Sequence, residues 1–217
     1  MPTIKEILNE LRDQKWVLPN FQRDFVWSAD QVAFLFDSMM RGYPIGAIIL
    51  LKYKKAFPFQ PRGLDDDEEL RRKQEFYIID GQQRLTSIYK IINKYSNTSD
   101  VEEELQCLTF KKDQGSEQRF AFFLKYNADE TTDRYVYSKK INKKSISDEW
   151  IKEREYIPLE YVFCEGHILN SYLKKHKIKT FKNNIIKFKN NIHKYELTVK
   201  NVGIIGSWMI IEMYLND

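Results

Sequence analysis

The stretch EFYIIDGQQRLTSIYKIIN, residues 75 to 93, decides how this chain is read. Phe76, Tyr77, Ile78 and Ile79 form the short apolar run of a buried strand, whereas Leu85, Ile88, Ile91 and Ile92 recur at the spacing of one helix face. Asp80 to Arg84 therefore occupy a strand-to-helix turn. Such a turn aims backbone N–H groups and the positive end of a helix dipole at whatever lies in front of it, which suits an anion.

Working outward, Thr3 and Glu6 have the capping-box spacing, and Ile4, Ile7, Leu8 and Leu11 then share a face, predicting a helix over 3–13. Ser28 and Gln31 open a second helix, with Val32, Leu35, Phe36, Met39 and Met40 inward and Gly42 placed to end it. AIILLKY, residues 47 to 53, reads as a buried strand. Residues 58–74 mix Pro, Gly and a charge run without periodicity, predicting a surface loop. Downstream, QCLTF and RFAFFLKY are strand candidates, with KDQGSEQ as the turn between them. From about Ser147 the text turns helical. FKNNIIK at 181–187 is followed by FKNNIHK, and Phe181, Ile185, Phe188, Ile192, Tyr195 and Val199 make one apolar stripe, a helix packed on a neighbour.

Composition bounds the class. The chain has 217 residues, 42% hydrophobic and 30% charged, with a 14% aromatic share that argues for a folded globular protein. The apolar stretch at 203–215 is short for a membrane span and is interrupted by Glu212, and the N-terminus reads as an amphipathic helix, so the expectation is a cytoplasmic protein without a membrane partner. Cys107 and Cys164 stand apart from any ligand spacing and read as buried thiols. His167, His176 and His193 likewise read as surface or core residues. Net charge is only +4, but nine lysines and a single acid, Glu196, fall between His167 and Lys200.

Three polar clusters interrupt the apolar text: PNFQRDFVW at 19–27, RGYPIG at 41–46 and DGQQR at 80–84. With the order loop, helix, Gly turn, strand, loop, strand, DGQQR, helix, the chain resembles the ParB and sulfiredoxin fold, whose nucleotide-phosphate site joins a loop arginine to a Gly-x-x-Arg turn. PNFQRDFVW, DSMMRGYPIGAIIL and IDGQQRLTSI are more closely similar to the N-terminal, GmrS-like domain of GmrSD-type restriction proteins, over roughly the first ninety-odd residues. The resemblance implies an α+β protein: a ParB/sulfiredoxin-like core at 1–145, with a small mixed sheet and flanking helices, then a helical extension at 146–217. It implies an NTP-binding and hydrolysing domain of a phage-defence system that attacks modified double-stranded DNA. The cofactors would be NTP and Mg²⁺, and the partner an HNH-type nuclease domain or subunit; a homo-oligomer is left open. No HNH-type motif occurs in these residues, so a truncated or standalone fragment is expected.

Within DGQQR, Gly81 lets backbone approach a phosphate, the N–H groups of Gln82, Gln83 and Arg84 can point at it, and Arg84 adds a forked cation. Asp80 suits Mg²⁺, directly or through water, or the orientation of the attacking water. Either glutamine could also position that water. Asp80, Gln83 and Arg84 are the expected catalytic set, with Asp80 the metal ligand. The expected nucleotide-binding set is Gln22, Arg23, Gly46, Gly81, Gln82, Gln83, Arg84 and Thr86. Lys182 and Lys189, flanking the apolar stripe, are the candidate DNA contacts. The blander alternatives are a plain Asp-Gly turn, a surface Arg84, Gly42 and Gly46 as turn residues, and a solvated lysine face. Rival functions are a nucleotide-gated DNA-binding module without turnover, or a ParB-like nuclease, for which one carboxylate is thin.

Overall fold

A computed structural model describes residues 1–52, 59–64, 70, 73–96, 107–111, 117–129, 131–141, 146–178, 181–205 and 208–211. In chain order its elements are α1 (Ile4–Arg12), β1 (Trp16–Pro19), α2 (Ala29–Met40), β2 (Ile48–Lys52), β3 (Pro61–Arg62), β4 (Phe76–Asp80) and α3 (Gln82–Ser96). There follow β5 (Leu108–Lys111), β6 (Glu117–Lys125), β7 (Val136–Ile141), α4 (Asp148–Glu153), β8 (Tyr156–Pro158), α5 (Leu159–Phe163), α6 (Gly166–Lys175), α7 (Lys182–Lys194), β9 (Val199–Ile205) and β10 (Trp208–Ile211). The class is α+β, as the sequence implies. Contacts divide the chain into two units: residues 1–25, 45–89 and 193–217 form the first, and residues 26–44 and 90–192 the second.

The first unit is built on a mixed sheet of order β10-β9-β2-β4-β1-β3. β4 runs parallel to β1, with Val17 opposite Tyr77, and antiparallel to β2, with Leu51 opposite Tyr77. These three residues make a buried cluster in which the Tyr77 hydroxyl donates to the Phe59 carbonyl at 2.6 Å. α1 opens with the reciprocal Thr3–Glu6 capping box and buries Ile4, Ile7, Leu8 and Leu11. Each of those side chains contributes about 1.5–3 kcal/mol by leaving water.

Residues 58–74 are not all loop, because Pro61 and Arg62 pair with Pro19 and Leu18 as β3. The largest departure lies at the other end of the chain. Residues 146–194 are mainly helical, as expected, but 199–205 form a strand that pairs in parallel with β2, and 208–211 pair back on it. The apolar stripe holds only through Ile185, Phe188 and Ile192 of α7. Beyond Lys194 the Tyr195 carbonyl accepts the Ile4 N–H at 2.8 Å and Glu196 bridges to Thr3, which draws the backbone out of the helix. Thr198, Val199, Val202, Ile204 and Ile205 then supply β-branched text suited to a pleated strand. The boundary expected after 145 is therefore not where the contacts divide the chain.

In the second unit, β6 pairs antiparallel with β5, β7 and β8, the first of these matching the expected QCLTF and RFAFFLKY pairing. Residues 112–116 of their connecting turn lie outside the described residues. Phe123, Ala121, Cys107 and Ile151 form one buried cluster there. α2 begins with the Ser28–Gln31 capping box and ends as anticipated: Gly42, at φ +71°, lets the Tyr43 N–H reach the Ser38 carbonyl at 2.9 Å.

Candidate functional site

The apolar run of β4 ends at Asp80, and α3 begins two residues later, so the DGQQR text is the corner itself. Gly81 carries φ +96°, and its carbonyl accepts the Leu85 N–H at 2.9 Å, the first bond of the helix. Residues 82–84 are thus the first turn of α3, where N–H groups have no acceptor inside their own helix.

A loop is bound to this corner by amides. Gln22 Nε2 donates to the carbonyls of Ile78 and Ile79 at 2.6 and 3.0 Å. Gln82 Nε2 donates to the Arg23 carbonyl at 2.7 Å, and Gln83 Nε2 to the Asp24 carbonyl at 3.1 Å. Arg62 completes the lashing with Nη2 bonds of 3.0 Å to the carbonyls of Gln22 and Arg23. Gln22, Gln82 and Gln83 are therefore brought together with Arg23, but as anchors of the loop. Gln22 Oε1 is buried and has no hydrogen-bond partner among the described residues, which points that amide into the protein. Among the groups left facing solvent are the Arg23 side chain, the carboxylates of Asp80 at 62% and Asp24 at 73% exposure, and the ring of Phe21 at 60%. Phe21 and Arg62 escaped the sequence reading; the first is one more aromatic in an aromatic loop, and the second lies in text without periodicity.

Arg84 is placed differently from expectation. Its side chain is 15% exposed, and its guanidinium donates to the carbonyls of Ile45 at 2.6 Å and Ala47 at 2.9 Å and to Asp80 Oδ2 at 3.0 Å. Gly46 lies between those carbonyls, and a Cβ there would sit 2.6 Å from Arg84 Nη1. Gly46 thus makes room for the arginine. Gly81 is buried, and a Cβ on it would meet Ile48 Cδ1 at 2.3 Å, so packing on β2 as well as its φ requires glycine. Thr86 is 1% exposed, and its hydroxyl is buried with no hydrogen-bond partner among the described residues.

Residues 4–216 match the family described as the GmrSD restriction endonuclease N-terminal domain. The chain belongs to that family. The match extends far past the ninety-odd residues carrying the three motifs, so β9 and the helices before it are part of the GmrSD N-terminal domain. An uncharacterized protein of Methanocaldococcus jannaschii is 24% identical over 92% of this chain and 35% of its own length. The chain thus spans about a third of that relative.

For this GmrSD N-terminal domain, the two candidate DNA lysines part company. Lys182 is exposed at the start of α7. Lys189 instead donates to the carbonyls of Cys164 at 2.7 Å and Phe163 at 3.3 Å, closing the C-terminal end of α5, and burial pushes its pKa down. A second set of charges escaped the sequence reading. Arg41 Nε bonds Asp37 Oδ2 at 2.8 Å, its Nη2 reaches the carbonyls of Thr132 and Asp133, and Asp37 Oδ1 accepts the Tyr135 N–H. Asp37 and Arg41 are four apart on a helix, the spacing that signals such a pair. Among the described residues no three of His, Cys, Asp and Glu gather as a metal site, and no helix is long and apolar enough to cross a membrane. Cys107 and Cys164 are buried thiols, the latter pushed up to about 11 by burial.

Proposed function

We propose that the β4–α3 corner binds a nucleoside triphosphate and hydrolyses it with Mg²⁺, as the energy-using part of a restriction system that attacks modified DNA through a nuclease domain elsewhere. The supporting observation is that the loop lashed to the corner leaves Arg23, Asp80 and Phe21 exposed beside a helix N-terminus. Arg23 would neutralise phosphate oxygens, the first turn of α3 would meet phosphate from the front, and the Phe21 ring would offer a face to the base. The residues present fit Mg²⁺: the exposed Asp80 carboxylate, with one oxygen turned to Arg84, is the protein share usual for an ion that otherwise takes waters and substrate phosphates. The ion would neutralise charge on the transferring phosphoryl group. Arg84 acts by holding Asp80 and the 45–47 backbone in place.

The test is steady-state phosphate release beside calorimetric nucleotide binding, for the parent, Asp80→Asn, Arg23→Ala and Phe21→Ala. Asp80→Asn should lose turnover while keeping most of its affinity; Arg23→Ala and Phe21→Ala should lose affinity. Saturable binding without turnover in the parent would instead support the non-hydrolysing module. One observation favours that second reading: the amides of Gln82 and Gln83 are already bonded to loop carbonyls.

A further inference from the structure

The second unit contains a cavity of about 480 Å³, within the range of roughly 300–1,000 Å³ usual for small-ligand sites, and every residue lining it belongs to that unit. Met40, Tyr126 and Phe188 supply apolar and aromatic wall, and Asp129, Asn184 and Lys187 supply polar groups. Two of these polar groups, Asp129 and Asn184, are held in place. Asp129 Oδ1 accepts from the Thr131 N–H at 2.9 Å, the Thr131 hydroxyl at 2.7 Å and the Thr132 hydroxyl at 3.2 Å, so the carboxylate is held in one orientation. Asp129 itself is exposed. Asn184 Nδ2 reaches the Tyr126 carbonyl at 3.3 Å, tying α7 to the wall opposite. Lys187, exposed on α7, has no ion pair among the described residues.

We infer that this cavity takes a nucleobase bearing an exocyclic amino group, with Lys187 meeting the attached phosphate. An aromatic and apolar enclosure with a few fixed polar groups is how proteins read a single unstacked base. The oriented Asp129 carboxylate is an acceptor for an amino group, as carboxylates are for N4 of cytosine, whereas the carbonyl edge of thymine would face it with like polarity. The same chemistry could arrive as a base extruded from duplex DNA or as a free mononucleotide. The site does not depend on nucleotide hydrolysis at the corner of the other unit.

The experiment uses the full chain without Mg²⁺ and two probes. One is calorimetry with dCMP and dTMP; the other is a duplex carrying 2-aminopurine next to a central cytosine, whose fluorescence rises when the neighbouring base leaves the stack. Ala128, half-buried in the cavity wall, is changed in Ala128→Trp to fill the space. Lys187→Glu is the surface variant that leaves the core untouched. The parent should bind dCMP at least about tenfold more tightly than dTMP, the loss of one hydrogen bond to a charged group, and Lys187→Glu should weaken binding by about the same factor. Ala128→Trp should abolish it. A fluorescence rise with the duplex, absent in Ala128→Trp, identifies an extruded base; dCMP binding without that rise identifies the free nucleotide. The proposal is overturned if neither probe binds, if dTMP matches dCMP, or if Lys187→Glu and Ala128→Trp bind as the parent does. It is equally overturned if the signal disappears in Asp80→Asn and persists in Ala128→Trp, because the ligand would then sit at the corner.

Discussion

Arg84 illustrates how a residue type leaves its task open. A forked cation after a Gly turn suits a phosphate, yet here the fork is occupied by two backbone carbonyls and a carboxylate. Removing it should therefore cost stability as well as function. We expect Arg84→Ala to lose about 2–3 kcal/mol in denaturant unfolding, the scale of hydrogen bonds to a charged group whose partners are left behind, and Arg84→Lys to recover little because an ammonium cannot reproduce the fork. An unchanged midpoint in Arg84→Ala would show the carbonyls to be satisfied without it. Gly46→Ala should cost about 1–3 kcal/mol in the same unfolding measurement, from positive φ and from displacing Arg84. The sequence shows where the corner is, because an apolar run and a helical period meet at Asp80. Which of its atoms face water depends on the 45–47 backbone, about forty positions away, and no local pattern carries that.

Helices in the C-terminal half show the same division between pattern and placement. The stripe of Ile185, Phe188 and Ile192 was legible from spacing, and it orients α7. It did not reveal that Lys189 would turn back to close α5. Lys189→Ala should lower the thermal midpoint, with a cost of about 1–2 kcal/mol for a partly buried cationic cap at a helix C-terminus, whereas Lys182→Ala, on the exposed side, should leave it within about 0.5 kcal/mol. Equal midpoints for the two variants would return Lys189 to the solvated face. At the end of α6, His176 stacks on Tyr172 with ring centroids 4.2 Å apart, and burial holds its pKa below the ordinary 6.5. The unfolded chain therefore takes up the proton first. Its contribution to stability is full above pH 6.5 and is lost as pH falls through the lower folded value. His176→Phe keeps a ring on Tyr172 and should show a weaker fall in thermal midpoint between neutral and acid pH; a parallel fall in both proteins would assign the dependence to other groups.

At the scale of the molecule, the chain leaves the first unit after residue 25, returns at 45, leaves again at 89 and returns at 193. Such interleaving leaves no mark in local periodicity, which changes only once, near Ser147. Ending the chain after Lys194 would remove β9 and leave β2 as an unprotected edge, so amide hydrogen exchange of Ile48 to Leu51 should accelerate and the first unit should unfold at lower denaturant. Unchanged protection of those amides would show the sheet to be complete without its C-terminal strands. The pairing has a consequence during synthesis. Ile48 and Val199 are partners some 150 positions apart, so at the slow pace of translation β2 leaves the ribosome many seconds before the strand that flanks it. The second unit, contained within residues 26–192, can close in that interval, while a nascent β2 presents an open hydrogen-bonding edge to neighbouring polysomal chains and to holding chaperones. Rare codons or pausing sites upstream of residue 199 would lengthen that exposure, and yield in a cell should respond to them more strongly than the equilibrium stability of the finished protein does.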